Sequence, residues 1–136
     1  MEVDEVREFL REKHRAVLAT FRQSGDVQLS PVTVGVDEDG KAVISTRETA
    51  MKTHNLRRDP RAYLCVMNDA FFGRWVRVDG TAEIVELPEA MEPLVEYYRR
   101  IRGEHPDWDE YREVMERERR VLLRISLDEV GPDRSG

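Results

Sequence analysis

Apolar residues recur along this chain with two different periods, and the switches between them mark out its elements. Val6, Phe9, Leu10 and Lys13 follow a three-four spacing, with acids early and bases late, which predicts an amphipathic helix over residues 2–14. Residues 16–22 read as a short apolar strand. It closes in a turn at 23–26, where Gly25 can take the positive φ that a tight turn requires. Residues 27–36 read as a longer strand interrupted by Pro31. A proline cannot donate to a ladder, so it implies an edge, a bulge, or a place where something other than a strand meets the backbone. Asp-Glu-Asp-Gly at 37–40 is a hairpin turn, and residues 41–46 return from it. A helix is predicted over 48–58, ended by Asp59 and Pro60.

Residues 61–68 and 74–87 follow as strands, the second the longest, with Gly80 marking a bend or bulge in its middle. Pro88 opens a helix with Met91, Leu94, Val95, Tyr98 and Ile101 on one face. After a break at 103–106, Trp108, Tyr111, Val114 and Met115 give another. Residues 121–127 form a final strand, and a loose tail is expected from about residue 131. Six strands joined mainly by hairpins, with helices coming late, predict an α+β fold built on an antiparallel barrel with helices outside. Strand and helix do not alternate regularly, and no Gly-x-Gly-x-x-Gly follows a strand, which argues against a dinucleotide-binding fold. No internal repeat or linker divides residues 1–136, so a single domain is expected.

Charge narrows the partners. With 37% charged residues and a formal net charge of -6, the surface lacks the basic surplus that generic binding to nucleic acid or anionic membrane needs. A local basic pocket for an anionic ligand remains compatible with that balance. The one cysteine, Cys65, lies in an apolar run and reads as a small buried hydrophobe rather than a nucleophile. No long apolar segment or leader pattern is present, so a cytoplasmic location is expected.

The most informative stretch is 44–60, Ile-Ser-Thr-Arg-Glu-Thr-Ala-Met-Lys-Thr-His-Asn-Leu-Arg-Arg-Asp-Pro. Hydroxyls at a strand end (Ser45, Thr46), a helix start, and Lys52, one of three lysines, together make a place for a phosphate. The same letters also fit a capping box, with Ser45 as N-cap and Glu48 three residues on. Arg47, Asn55 and Arg57 could add to a phosphate clamp, since positions three or four apart on a helix are neighbours. His14, His54 and His105 are scattered, and no ligand spacing supports a metal site. His54 reads as a solvent-facing helix residue. Trp75 reads as core, interface, or the wall of a ring site. The late Arg- and Glu-rich helices read as solvated faces, with Tyr97, Tyr98 and Trp108 as candidates for a subunit contact.

The run LATFRQSGDVQLSPVTVGVDEDGKAVISTRETAMKTHNLRRDPRAYLCVMN, residues 18–68, followed by WVRVDGTAEIVE, residues 75–86, resembles the pyridoxamine 5′-phosphate oxidase-like split β-barrel family. Within it, the chain looks most like the deazaflavin branch that uses coenzyme F420. The resemblance implies a six-stranded antiparallel split β-barrel of the FMN-binding type with peripheral helices. It implies a homodimer with cofactor sites at the interface, and a flavin-type ring along Ser30, Pro31, Val32 and Thr33. Ser45, Thr46, Arg47 and Lys52 would hold the phosphate, with Met51 and Asn55 nearby and Trp75 bordering the ring, from the partner subunit. Many relatives carry an arginine just before this lysine. Here Ala50 and Met51 stand there, so one charge is missing from the clamp, with Arg47 or Arg57 as candidates to replace it.

The activity implied is an F420-dependent reductase that transfers hydride from reduced deazaflavin to an unsaturated small molecule, with no essential acid–base pair from the protein. The alternatives are an FMN-dependent enzyme of the same fold and a non-catalytic protein that holds a flavin or a tetrapyrrole.

Overall fold

A computed structural model describes residues 1–132 of the 136-residue chain. The elements run α1 (Val3–Glu12), β1 (Arg15–Phe21), β2 (Val27–Thr33), β3 (Gly35–Val36), β4 (Ala42–Arg47) and α2 (Met51–Arg58). They continue through β5 (Arg61–Met67), β6 (Trp75–Val85), α3 (Met91–Arg102), α4 (Trp108–Arg117), β7 (Arg120–Ile125) and β8 (Glu129–Gly131). Every strand pairing is antiparallel, in the order β2-β1-β5-β6-β7-β4-β3, with β8 beside β6. The curled sheet with helices at its periphery is the α+β split barrel the sequence predicts.

Eight strand segments stand where six were expected. The long segment over 27–36 is two strands, because the chain changes partner: Thr33 still pairs with Arg15 of β1, whereas Gly35 pairs with Val43 of β4. The other addition is β8, whose Gly131 pairs with Arg77, so residue 131 belongs to a strand and not to the loose tail expected there. Residues 133–136 lie outside the described residues. Strand β6 spans both halves of the barrel, pairing β5 up to Thr81 and β7 from Ala82 onward. Gly80 sits at that crossing, where a Cβ would lie 2.0 Å from the Ser126 carbonyl oxygen. Glycine is required there by close approach of two backbones.

The core fills the barrel. Ala16 and Leu18 of β1, Leu64 and Val66 of β5, and Val76 and Val78 of β6 point inward against Val6, Phe9 and Leu10 of α1. A second apolar layer joins Val43 and Leu122 to Leu94, Val95, Tyr111 and Met115 of α3 and α4. Strands β4 and β7 are thus covered on both faces, which explains why they read as continuous apolar runs. The expected hairpins form as the turn residues dictate. Gly25 and Gly40 have φ of 93° and 79°, and the Asp37 carboxylate accepts from the Asp39 and Lys41 amides.

The outer face of β2, β1, β5 and β6 is different. The register aligns Pro31, Val17, Cys65 and Arg77 in one row, and Leu29, Ala19, Tyr63 and Asp79 in the next. Leu29 is 66% exposed and Val27 49% exposed, so an apolar sheet face lies open at the β2 edge. No described helix is long and apolar enough to cross a membrane.

Candidate functional site

Ser45 and Thr46 close β4 opposite Leu122 and Val121 of β7. Both are therefore strand residues, and the capping box read from the sequence does not form. The N-cap of α2 is Ala50, with no side-chain cap, and the Glu48 carboxylate accepts from Arg119 at 3.2 Å instead. The strand-to-helix turn is closed from within, as the Thr53 hydroxyl donates to the Arg47 carbonyl at 2.8 Å. That bond sets where Lys52 emerges, half-buried, one residue into the helix.

Lys52 faces a cavity of about 720 Å³. Its floor is the end of β2 (Pro31, Val32, Thr33) and the end of β4 (Ser45, Thr46); its far wall is α3, α4 and the start of β7. Three cations line it, Lys52, Arg102 and Arg120, against one carboxylate, Glu118. Glu118 bonds Arg120 at 2.8 Å and lies 3.5 Å from Arg47. Lys52 and Arg102 have no acidic partner among the described residues. Burial, and then the charge of Arg120, hold the Lys52 ammonium below its ordinary range.

The helical wall is held by two phenols. Tyr97 donates to the Thr33 carbonyl at 2.8 Å, tying α3 to the β2 edge. Tyr111 donates to the Leu94 carbonyl at 2.8 Å, tying α4 to α3. Burial pushes both phenols up, Tyr111 to about 12, so both are neutral at ordinary pH. Tyr98, His105, Trp108 and Tyr111 pack together with ring centroids 5.1 to 5.8 Å apart. Tyr98 and Trp108, read from sequence as candidates for a subunit contact, thus pack against one another within one chain.

Of the residues singled out in the sequence, the cavity gathers Pro31, Val32, Thr33, Ser45, Thr46 and Lys52. It does not gather Ser30, Arg47, Met51, Asn55 or Trp75. Asn55 is 2% exposed, and its amide donates to the Thr20 hydroxyl and the Gln28 side-chain Oε1 at 3.1 and 3.0 Å. It therefore faces the barrel and not the cavity shared by its neighbour one turn earlier. Arg47 pairs with the wall residue Glu118 at 3.5 Å without lining the cavity itself, Arg57 pairs with Glu86 at 2.6 Å, and Met51 is 57% exposed. Trp75 stands across from Met67 on the outer sheet face. Neither candidate replacement for the missing cation reaches the cavity. Cys65 is half-buried on that same face, and burial raises its thiol, which leaves it a packing residue.

Arg102, Arg120, Tyr97 and Tyr98 were not singled out as site residues. They lie 45 or more positions from Lys52 in the chain; Tyr97, Tyr98 and Arg102 sit on a helix with the Arg–Glu pattern of a solvated face, and Arg120 opens a strand. A second cavity, of about 400 Å³, opens between the β3–β4 hairpin and α3. Three of its carboxylates are paired within the chain, Asp37 and Asp39 with Arg124 and Glu92 with Arg112.

A family model described as pyridoxamine 5′-phosphate oxidase matches residues 3–132. The chain belongs to that family. A solved structure of a conserved hypothetical protein from Mycobacterium tuberculosis is 28% identical, with a TM-score of 0.78, covering 100% of this chain and 92% of that one. A structure named F420 reductase is 18% identical with a TM-score of 0.72, covering 92% of this chain and 94% of that one. A heme binding protein from Mycobacterium smegmatis is 20% identical with a TM-score of 0.73, covering 97% of this chain and 55% of that one. These last two share the fold of this pyridoxamine 5′-phosphate oxidase family member and differ in what their names say they do.

Proposed function

We propose that the chain is a reductase that binds coenzyme F420, with FMN as the alternative cofactor. The observation that carries this reading is the meeting of the strand hydroxyls, Lys52 and two arginines in one cavity that also touches the Pro31 edge. The donor set fits a phosphorylated ring cofactor. Ser45 and Thr46 offer hydroxyls, the cations offer charge, and residues 31–33 offer a strand segment with an amide missing at Pro31, along which a flat ring can lie. Ser45, Thr46, Lys52 and the two arginines would hold the cofactor, which when bound would supply hydride chemistry toward an electron-poor unsaturated small molecule. The chain's own part is to bind and orient the cofactor and to keep water from the ring. Tyr97 and Tyr111 are neutral and already committed to carbonyls, so proton delivery from solvent suits this cavity better than delivery from these phenols.

The same reading pairs two copies across the outer face of β2, β1, β5 and β6, whose exposed apolar part lies at Leu29 and Val27 on the β2 edge. Trp75 lies on that face and would border the partner's ring. The test is a side-by-side titration of the apo-protein with F420, FMN and hemin, with oligomeric state followed by light scattering. Binding of F420 with turnover of an enone or quinone supports the reading, and binding of FMN alone moves it to the alternative. Tight hemin binding without turnover of any such substrate would overturn it in favour of a non-catalytic heme-binding role, the direction in which the name of the Mycobacterium smegmatis neighbour points.

A further inference from the structure

The clamp expected from the sequence is short of one cation, since Ala50 and Met51 precede Lys52. The structure holds two cations that no sequence neighbour of Lys52 supplies. Arg102 ends α3 and Arg120 opens β7, and both line the cavity that Lys52 faces. Arg120 pairs in the ladder with Arg47, which puts it beside the end of the strand that carries Ser45 and Thr46. Arg102 reaches the cavity because Tyr97, little more than one helical turn earlier, ties α3 to Thr33. Three cations against one carboxylate leave a surplus of two positive charges in a chain whose net charge is -6.

We infer that Arg102 and Arg120 replace the missing cation and, with Lys52, hold a ligand end that carries about two negative charges. Glu118 is the built-in competitor. Its carboxylate holds Arg120 at 2.8 Å, so an incoming anion must displace it. A phosphate monoester, or a phosphodiester followed by a carboxylate, has the right charge. The inference rests on the reading of this cavity as the cofactor's phosphate end.

The test uses inorganic pyrophosphate as probe, with binding followed by thermal shift and calorimetry on the full chain. Wild type binds, Arg102→Met and Arg120→Met each weaken binding about tenfold or more, and Arg102→Lys retains most of it. Glu118→Gln binds more tightly than wild type, an outcome that a merely structural role for Glu118 does not give. Arg112→Met, which breaks an exposed pair with Glu92, leaves binding unchanged. Arg102 is exposed at the cavity rim, so its loss leaves the fold intact if Arg120→Met should not. Absence of pyrophosphate binding in wild type, or wild-type affinity in Arg102→Met, overturns the inference. Pyrophosphate binding that depends on Arg102, in a protein that takes up neither F420 nor FMN, leaves the inference standing and removes the cofactor reading.

Discussion

Arg120 on β7 stands near enough to Lys52 on α2 for its charge to add to burial in holding the Lys52 ammonium below its ordinary range. The folded protein therefore releases this proton more readily than the unfolded chain does. Stability contributed by this group rises with pH up to the ordinary value of 10.5, and at neutral pH the charged side chain works against the fold. Lys52→Met is expected to unfold at the same or higher urea concentration than wild type and to flatten that alkaline rise. It should also lose about tenfold or more in cofactor affinity, read by fluorescence titration. Unchanged affinity would remove Lys52 from the phosphate site.

Tyr111 titrates in the opposite sense. Its phenol is raised from 10.0 to about 12 by burial, so the stability it contributes is complete below pH 10 and is lost as pH rises toward 12. The loss is on the order of 2–3 kcal/mol by linkage. Tyr111→Phe should give up about 1 kcal/mol at neutral pH, through the bond to the Leu94 carbonyl, yet lose less than wild type between pH 10 and 12. Urea melts at several alkaline pH values measure both effects. A wild-type slope in the variant would show that another group carries the alkaline transition.

Gly80 is the tightest place in the barrel. A methyl group there would lie 2.0 Å from the Ser126 carbonyl oxygen and 2.6 Å from Ile125 Cγ2. Backbone cannot swing aside as a side chain can, so Gly80→Ala should destabilise by about 3 kcal/mol. Equilibrium urea unfolding checks this. A cost below about 1 kcal/mol would mean that β6 and β7 can separate locally without loss of the fold.

Leu29→Glu tests the pairing of two copies. Leu29 is 66% exposed in the single chain, so a carboxylate there costs the isolated subunit little. Buried against a partner, it would cost several kcal/mol. Light scattering should report a monomer for the variant and twice that mass for wild type. Equal masses would place the interface elsewhere.

How far the sequence could be read follows from the range of each signal. Turns at Gly25 and Gly40 and the edge position of Pro31 were legible because a single residue type carries each reason; Gly80 was legible as a special position, although close approach of the Ser126 backbone and not a bulge is what requires it. The strand ending in Ser45 and Thr46, and Lys52 after it, were legible as a local unit, although the cap was misplaced: the strand runs through Arg47 and the helix starts only at Met51. Asn55 was misjudged because spacing along a helix gives neighbours but not which side the core occupies. Thr20 and Gln28 decide that, and they lie 35 and 27 residues away. Arg102 and Arg120 were invisible for the same reason at longer range. Their approach to Lys52 depends on the register of β4 with β7 and on one tyrosine bond, neither of which has a local signature.

The buried amide of Asn55 has a consequence for how such a protein can change over generations. Asn55 grips β1 and β2 from the core side of α2, while Lys52 lines the cavity from the other side. Anchoring and recognition are thus carried by separate faces of one short helix. Substitutions around residues 50–52 can therefore change the charge offered to the cavity without loosening the helix. Ala50 and Met51, where the resemblance leads one to expect a cation, are changes of the kind that this division of labour tolerates.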